Sequence, residues 1–238
     1  IGFFVWDDIA KNQWHFRNYT LQTKVVLTTT ALLLILPFLW FWLCEFVHWN
    51  GMSTGKQALS ALFQTVSPRT AGFNNVDLNQ LSGGSKLLTI LLMLVGGSPS
   101  STAGGIKTTT LAILLLALRA AFTSDHQVHC FGRRIPAQVI TRTLVVSVLY
   151  GTLFLVASMA LIQLEPVTME EALFECASAI GTVGLTLGIT PELGAVSEGI
   201  LILLMYLGRV GGLTLVYAVS GTGKRLHYTL PEESIGIG

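Results

Sequence analysis

The sequence predicts an all-α membrane protein of repeated helix–pore-loop–helix units, two of the four that a pseudo-four-fold pore needs. Three observations predict it. The 238 residues are 51% hydrophobic and only 11% charged, far below the roughly 25% charge of a soluble domain, and mean hydropathy is +0.64. Two stretches, residues 25–44 and 143–164, run 20 and 22 residues without a charge. The second half of the chain repeats motifs of the first at a nearly constant offset.

The elements follow in order. Residues 1–24 mix aromatics with charge (Trp6, Asp7, Asp8, Lys11, Trp14, His15, Arg17) and read as the end of an earlier helix running into an interfacial segment. Residues 25–44, bracketed by Lys24 and Glu45, are long enough to cross a hydrocarbon core of about 30 Å. Trp40, Trp42 and Trp49 cluster at the far end, where aromatic belts sit. Residues 57–66 form a half-apolar stretch that reaches about 15 Å as a helix, half a membrane. It meets Ser67-Pro68-Arg69-Thr70-Ala71-Gly72-Phe73-Asn74, where proline ends helical structure. A short helix followed by an extended glycine-containing segment has the shape of a re-entrant pore loop.

Residues 87–118 are an apolar span interrupted by GGSPSSTAGGIKTTT at 96–110. Irregular backbone at membrane depth is tolerated only where it is buried in protein or lines a watery cavity. This loop therefore belongs inside the pore, and its glycines lower the barrier to rearrangement. We expect it to plug the cavity and move aside on activation.

The second half restates this plan. Thr182-Val183-Gly184-Leu185-Thr186 echoes Thr70-Ala71-Gly72-Phe73-Asn74, and Leu203 to Gly208 echoes Leu91 to Gly96, both at an offset of 112; Ala172-Leu173-Phe174 echoes Ala61-Leu62-Phe63 at 111. One insertion before Thr182 reconciles the offsets. A repeat of this kind means that one unit cannot bury its surface or enclose anything alone. The expected division is 1–20, the end of a preceding unit and interfacial segment; 21–119, one unit with its intramembrane loop; 120–137, a cytoplasmic linker; and 138–238, a second unit with a short tail. With two units of four, the chain is expected to be the back part of a longer protein.

Charge orients the units. Arg119, Arg133, Arg134 and Arg142 face one Asp125 in the inter-unit loop, and Lys224 and Arg225 lie near the C-terminus. The connection 165–198 holds Glu165, Glu170, Glu171, Glu175, Glu192 and Glu198 without Lys or Arg. Counting Lys and Arg puts the first two segments in the cytoplasm and the last outside, so the re-entrant loops enter from the outer face. The other outer connection, with Lys56, Arg69 and Lys86, fits less cleanly and is placed by the repeat.

The chemistry of T-x-G-x follows from the backbone. Carbonyl oxygens can replace the water of an alkali ion without trapping it on a fixed charge. Successive carbonyls face one axis only at unusual backbone angles, which Gly72 and Gly184 allow. The oxygens are expected from Thr70, Ala71, Gly72 and Phe73 and from Thr182, Val183, Gly184 and Leu185, with ion sites at Thr70, Gly72, Thr182 and Gly184. The preceding half-helices aim their negative ends at the cavity. Small residues also serve ordinary helix packing, but recurrence at the helix–loop position of both units favours a filter. Arg209 stands alone in the otherwise uncharged run 199–220; an arginine there costs about 2.5–3.5 kcal/mol on insertion scales and usually faces a cavity. It would repel ions or pair with the loop's carbonyls. Lys107 is similar but nearer the cytoplasmic end, where snorkelling is the bland alternative.

The motifs SPRTAGFN (67–74), GGSPSSTAGGIKTTT (96–110), GTVGLT (181–186) and LGRVGGLT (207–214) resemble the Ktr/Trk/HKT superfamily of potassium transporters, the central loop looking most like the bacterial Ktr membrane subunit. The resemblance covers nearly the whole chain as the third and fourth of the family's four units. It implies a multi-pass protein of the bacterial inner membrane that takes up potassium, often with sodium as activator. It implies a homodimer gated by a cytosolic RCK-type ring that carries the nucleotide. It gives Gly72 and Gly184 the filter role and Arg209 the role of pore arginine. The gating loop is carried onto Gly96, Gly97, Ser98, Pro99, Ser100, Ser101, Thr102, Ala103, Gly104, Gly105 and Lys107.

Other chemistries find less support. GGIKT has Ile106 where a phosphate loop needs glycine before lysine. His126, His129 and Cys130 lie together in the linker and read as a solvated loop. Cys44, Cys130 and Cys176 are too far apart for a zinc motif or a disulfide framework. A net charge of +1 points to no nucleic acid. The rivals are an intramembrane hydrolase using a loop serine with Lys107 or His48, which leaves the repeat unexplained, and a non-conducting scaffold.

Overall fold

Helices account for nearly all the regular structure in the computed structural model, which describes residues 1–13, 15–49, 52–123 and 127–211. Asp125 and His126 of the linker, residues 212–214 of the last motif, Lys224, Arg225 and the C-terminal tail lie outside the described residues.

Helix α1 (Phe3–Asn12) is tied to the start of α2 (Leu21–Trp40) by Asp8, whose carboxylate accepts from the Thr20 amide and hydroxyl, each at 2.9 Å. Thr20 in turn caps α2, accepting from the Thr23 amide. Pro37 lies inside α2, which loosens into a π turn at Phe41–Glu45 and a 3-10 turn at Phe46–His48, because proline removes a rung of the hydrogen-bond ladder. The whole run Leu21–His48 has 28 residues at mean hydropathy 2.1, and α6 (Ala137–Leu164) has 28 at 2.3. At 1.5 Å per residue each spans about 42 Å, more than a hydrocarbon core. Their outer surfaces are apolar: Leu32 and Leu36 on α2, Leu43 on its π turn, and Val148, Val156 and Met159 on α6 are all more than half exposed, as a lipid-facing surface would be.

Two half-helices follow these spans. Helix α3 (Thr54–Val66) starts three residues before the expected stretch and stops where Pro68 follows. Helix α7 (Met169–Gly181) opens on a capping box in which Thr168 and Glu171 satisfy each other's backbone amides. Helices α4 (Gly83–Leu94) and α5 (Thr108–Phe122) are the two pieces of the interrupted span, and α8 (Ala195–Val210) is the counterpart of α4. The linker, expected as a plain loop, holds a two-stranded hairpin, β1 (His129–Cys130) with β2 (Arg133–Arg134). Phe131 and Gly132 at its tip both have positive φ, 49° and 73°, as a two-residue turn of matching twist requires.

The core forms around α7, which packs on α4, α6 and α8; Phe174, Cys176, Ala177 and Ile180 are fully buried. Two carboxylates each close one end of a unit. Glu45 accepts from the Ser82 amide (3.1 Å) and the Ser82 and Ser85 hydroxyls (2.6 Å each) at the start of α4. Glu165 accepts from the Gly194 amide (2.8 Å) and the Ser197 hydroxyl (2.7 Å) at the start of α8. Ser82 with Gly194 and Ser85 with Ser197 are repeat partners at the same offset of 112. An anion at a helix N-terminus meets both free amides and the positive dipole end. Glu45, which reads in the sequence as a bracket of the span, is buried. The Trp40 indole turns inward as well, donating to Ser85 at 3.3 Å.

Candidate functional site

Both T-x-G-x segments sit at the C-terminal end of a half-helix, and both take the same backbone path. Thr70 has φ +71° and Gly72 +77°; Thr182 has φ +53° and Gly184 +91°. Threonine in the left-handed region costs about 1–2 kcal/mol, so the surroundings must hold it there. They do so through two serines at equivalent helix positions. Ser67 Oγ accepts from the Phe73 amide (2.9 Å) and donates to the Phe73 carbonyl. Ser178 Oγ accepts from the Gly184 amide (3.1 Å). The Ala71 and Gly72 amides return to the Ser67 carbonyl at 3.0 and 3.1 Å, and the Val183 amide to that of Ser178 at 2.9 Å. The two segments also touch: a Cβ on Gly72 would run into the Val183 carbonyl. Val183 and Leu185 bury their side chains while Phe73 leaves its own exposed.

Directly against the base of this pair lies the Gly/Ser loop. Its ends are zipped together, Gly96 N–H to Ile106 O at 2.9 Å, Ile106 N–H to Leu94 O at 3.1 Å and Thr108 N–H to Gly97 O at 3.1 Å. Inside, Ser101 Oγ donates to Ser98 O at 2.6 Å, and Lys107 Nζ bonds the Ala103 carbonyl instead of reaching for the cytoplasm. Gly104 abuts Thr182 so closely that a Cβ would strike the threonine side chain, and Gly105 (φ +68°) lies against Gly181. Pro99 presses its carbonyl on Gly2, and the Ser100 carbonyl accepts from Phe3 N–H at 3.4 Å. Arg209, near the end of α8, donates to the Thr102 carbonyl. The loop, the two T-x-G-x segments and the arginine, named separately in the sequence, thus meet at one place.

The structure also brings in residues that sequence reading placed elsewhere. Arg69 follows the C-terminal end of α3 and donates to the Gly96 carbonyl at 3.4 Å. It lines a cavity of about 500 Å³ with Thr30, Thr70, Ser98 and Ser101. Its Nε and the Ser98 hydroxyl are buried with no hydrogen-bond partner among the described residues. Glu175 is buried beside the fourth segment. Lys86 pairs with Glu170 at 2.7 Å. Charge counting uses sequence position alone and could not show that Arg69 turns to the loop or that Glu175 is buried.

The fold and this site define a class: membrane proteins in which half-helices carry glycine-containing pore segments between spanning helices. Against known structures, the TrkH potassium transporter of Vibrio parahaemolyticus superposes with a TM-score of 0.78 at 22% identity, over 94% of this chain and 50% of that one. The family model described as TrkH, cation transport protein, matches residues 13–223, and the chain belongs to that family. The potassium/sodium uptake protein NtpJ of Enterococcus hirae is 40% identical over the whole of this chain and 54% of its own length. The Ktr system potassium uptake protein B of Vibrio alginolyticus is 37% identical over the whole of this chain and 53% of its own. The chain thus spans about half the length of the curated relatives it matches.

Proposed function

We propose that this chain forms two of the four units of a potassium-uptake pore in a bacterial inner membrane. Residues 21–119 and 138–238 are the two units, 1–20 the end of the one before, and 120–137 the cytoplasmic linker. Potassium sheds water onto the carbonyls of Thr70, Ala71, Gly72 and Phe73 and of Thr182, Val183, Gly184 and Leu185. The observation that carries this reading is the shared left-handed Thr–x–Gly backbone of two segments in mutual contact, each serine-tied to its own half-helix. Two C-terminal helix ends with negative partial charge face the same place.

The loop from Gly96 to Gly105 with Lys107 is the gate. It lies against Thr182, and Arg209, Arg69 and Lys107 each hold one of its carbonyls. The cavity beside it suits water, since buried polar atoms without protein partners usually find ordered water, and leaves room for the loop to move. An open gate trades these bonds for hydration. Its control belongs to a cytosolic RCK-type ring carrying the nucleotide, acting on a homodimer of the whole protein through the basic linker. The names of the relatives, a Ktr system protein and a potassium/sodium uptake protein, support potassium as cargo and sodium as activator or second cargo. The hydrolase alternative lacks a base: Lys107 is spent on Ala103, and His48 does not line the cavity of the loop serines.

The test is potassium uptake by cells without other uptake systems, expressing the full-length parent. Shortening the loop by residues 98–103 should raise flux under non-activating conditions. Gly72→Ser should weaken apparent potassium affinity and let sodium compete. Unchanged flux and unchanged affinity in well-folded variants would overturn the reading.

A further inference from the structure

The proposed filter does not involve Glu175, a carboxylate 4% exposed in the middle of α7. Burying a carboxylate is expensive unless both oxygens are satisfied, and here both are. Oε1 accepts from the Thr186 hydroxyl and the Leu187 amide (3.3 Å); Oε2 accepts from the Thr190 hydroxyl at 3.0 Å. All three donors lie beyond Gly184, on the run that leaves the fourth pore segment. Thr186 Oγ1 passes the constraint on, accepting from the Gly188 amide at 2.8 Å, with the Thr190 hydroxyl oxygen 3.0 Å away.

That run needs holding. It lies between Gly184 (φ +91°) and Gly188 (φ +104°), and an added Cβ at either would find nothing within 4 Å. Glycines without neighbours leave the backbone its full freedom. Beside the burial of Leu185 and Leu187, the stretch is fixed by Glu175 on the amide side of Leu187 and Asn79 of the third unit on its carbonyl side, at 3.2 Å. The third unit is built differently. Its counterpart of Glu175 is Gln64, which reaches sideways to Thr89 at 3.5 Å, while the run after Gly72 is tied down by Asn75 donating to Ser60 at 3.1 Å.

We propose that Glu175 is a positioning residue for ion selection: it sets the carbonyls of Gly184, Leu185 and Thr186 at the outer end of the fourth segment, and so sets the discrimination of potassium from sodium. The inference rests on the filter reading above. It predicts that rigidity at the outer mouth enters the fourth unit through its half-helix, not through the glycine itself.

The experiment measures apparent KM for potassium and its competition by sodium in the full-length parent, with membrane abundance and thermal unfolding of each variant. Glu175→Ala removes all three hydrogen bonds; it should raise the potassium KM by about tenfold or more and should admit sodium at normal abundance. Thr186→Val should shift selectivity the same way by less, and adding it to Glu175→Ala should change nothing further. Glu175→Gln keeps one accepting oxygen and should restore most of the selectivity. Lower abundance or melting temperature with an unchanged potassium-to-sodium ratio would reduce Glu175 to a packing role and overturn the proposal, as would additive effects of the two substitutions. If Glu175→Ala does not reach the membrane, Thr186→Val and Glu175→Gln decide by the same ratio. Gly72→Ser separates the two failures: a selectivity shift there with none at Glu175 or Thr186 overturns this inference alone, whereas no shift at Gly72 overturns the filter reading.

Discussion

The third and fourth units place nearly the same backbone with different scaffolding. Helix α7 is buried along almost its whole length, while α3 exposes Leu59, Leu62, Phe63 and Val66. A carboxylate backs the fourth segment, whereas its amide counterpart in the third unit, Gln64, reaches sideways to Thr89. Arg69 follows the C-terminal end of α3, and Ile180, fully buried, stands at that of α7. The left-handed threonine, the glycine and the serine tie are what the two share. The lesson is that the repeat holds the line of carbonyls fixed and leaves the means of holding it free to differ.

The largest expected effect separates the glycines. Gly72 has no room, because a Cβ meets the Val183 carbonyl, whereas Gly184 has nothing within 4 Å. Both are left-handed, a strain of about 1–2 kcal/mol for an L-residue. Gly72→Ser should thus weaken potassium affinity well beyond the roughly tenfold that this strain implies, and Gly184→Ser should stay near it; uptake kinetics of both variants check the order. Next come the arginines. Arg209→Gln should raise resting flux several-fold, and Arg69→Gln less, since its bond to Gly96 is long at 3.4 Å. Equal effects would mean that the loop is held evenly from both units.

Smaller still is the serine pair. Ser67 holds both the amide and the carbonyl of Phe73, Ser178 only one amide. At about 1 kcal/mol per hydrogen bond, Ser67→Ala should lower detergent-phase thermal stability more than Ser178→Ala. The smallest effect is a pH response at the Glu165 clamp of the fourth unit. The Ser197 hydroxyl, and after it the Gly194 amide, hold the Glu165 carboxyl below its ordinary value of 4.5. A folded value below the unfolded one stabilises at neutral pH and is lost as pH falls through the depressed value. Melting temperature should therefore drop below about pH 4.5, and Glu165→Gln should flatten part of that drop.

Much of this was legible in the sequence. The repeat offset located both half-helices to within a few residues, and the interruption at 96–110 marked the loop. Arg209 was legible as a lone charge in an apolar run, and its bond to a loop carbonyl is one of the two roles expected of it. What stayed hidden depends on where a side chain turns. Lys107 folds back on Ala103, Arg69 points to the loop, Glu45 and Glu165 each serve a backbone far away in sequence, and Glu175 turns to the run that follows its own half-helix. Ser67 and Ser178 recur at an offset of 111, so the sequence carried their signal, yet a hydroxyl's partner depends on a turn that only the folded chain defines.

The clamps of Glu45 and Glu165 bear on ancestry. Each unit ties the end of its first helix to the start of its last with a carboxylate of its own, borrowing nothing from its neighbour. A gene segment copied in tandem would arrive with its fastening included, able to hold its shape before any surface had adapted to a new companion. Later copies could then diverge at Gln64 and Glu175, or at Arg69 and Ile180, without coming undone.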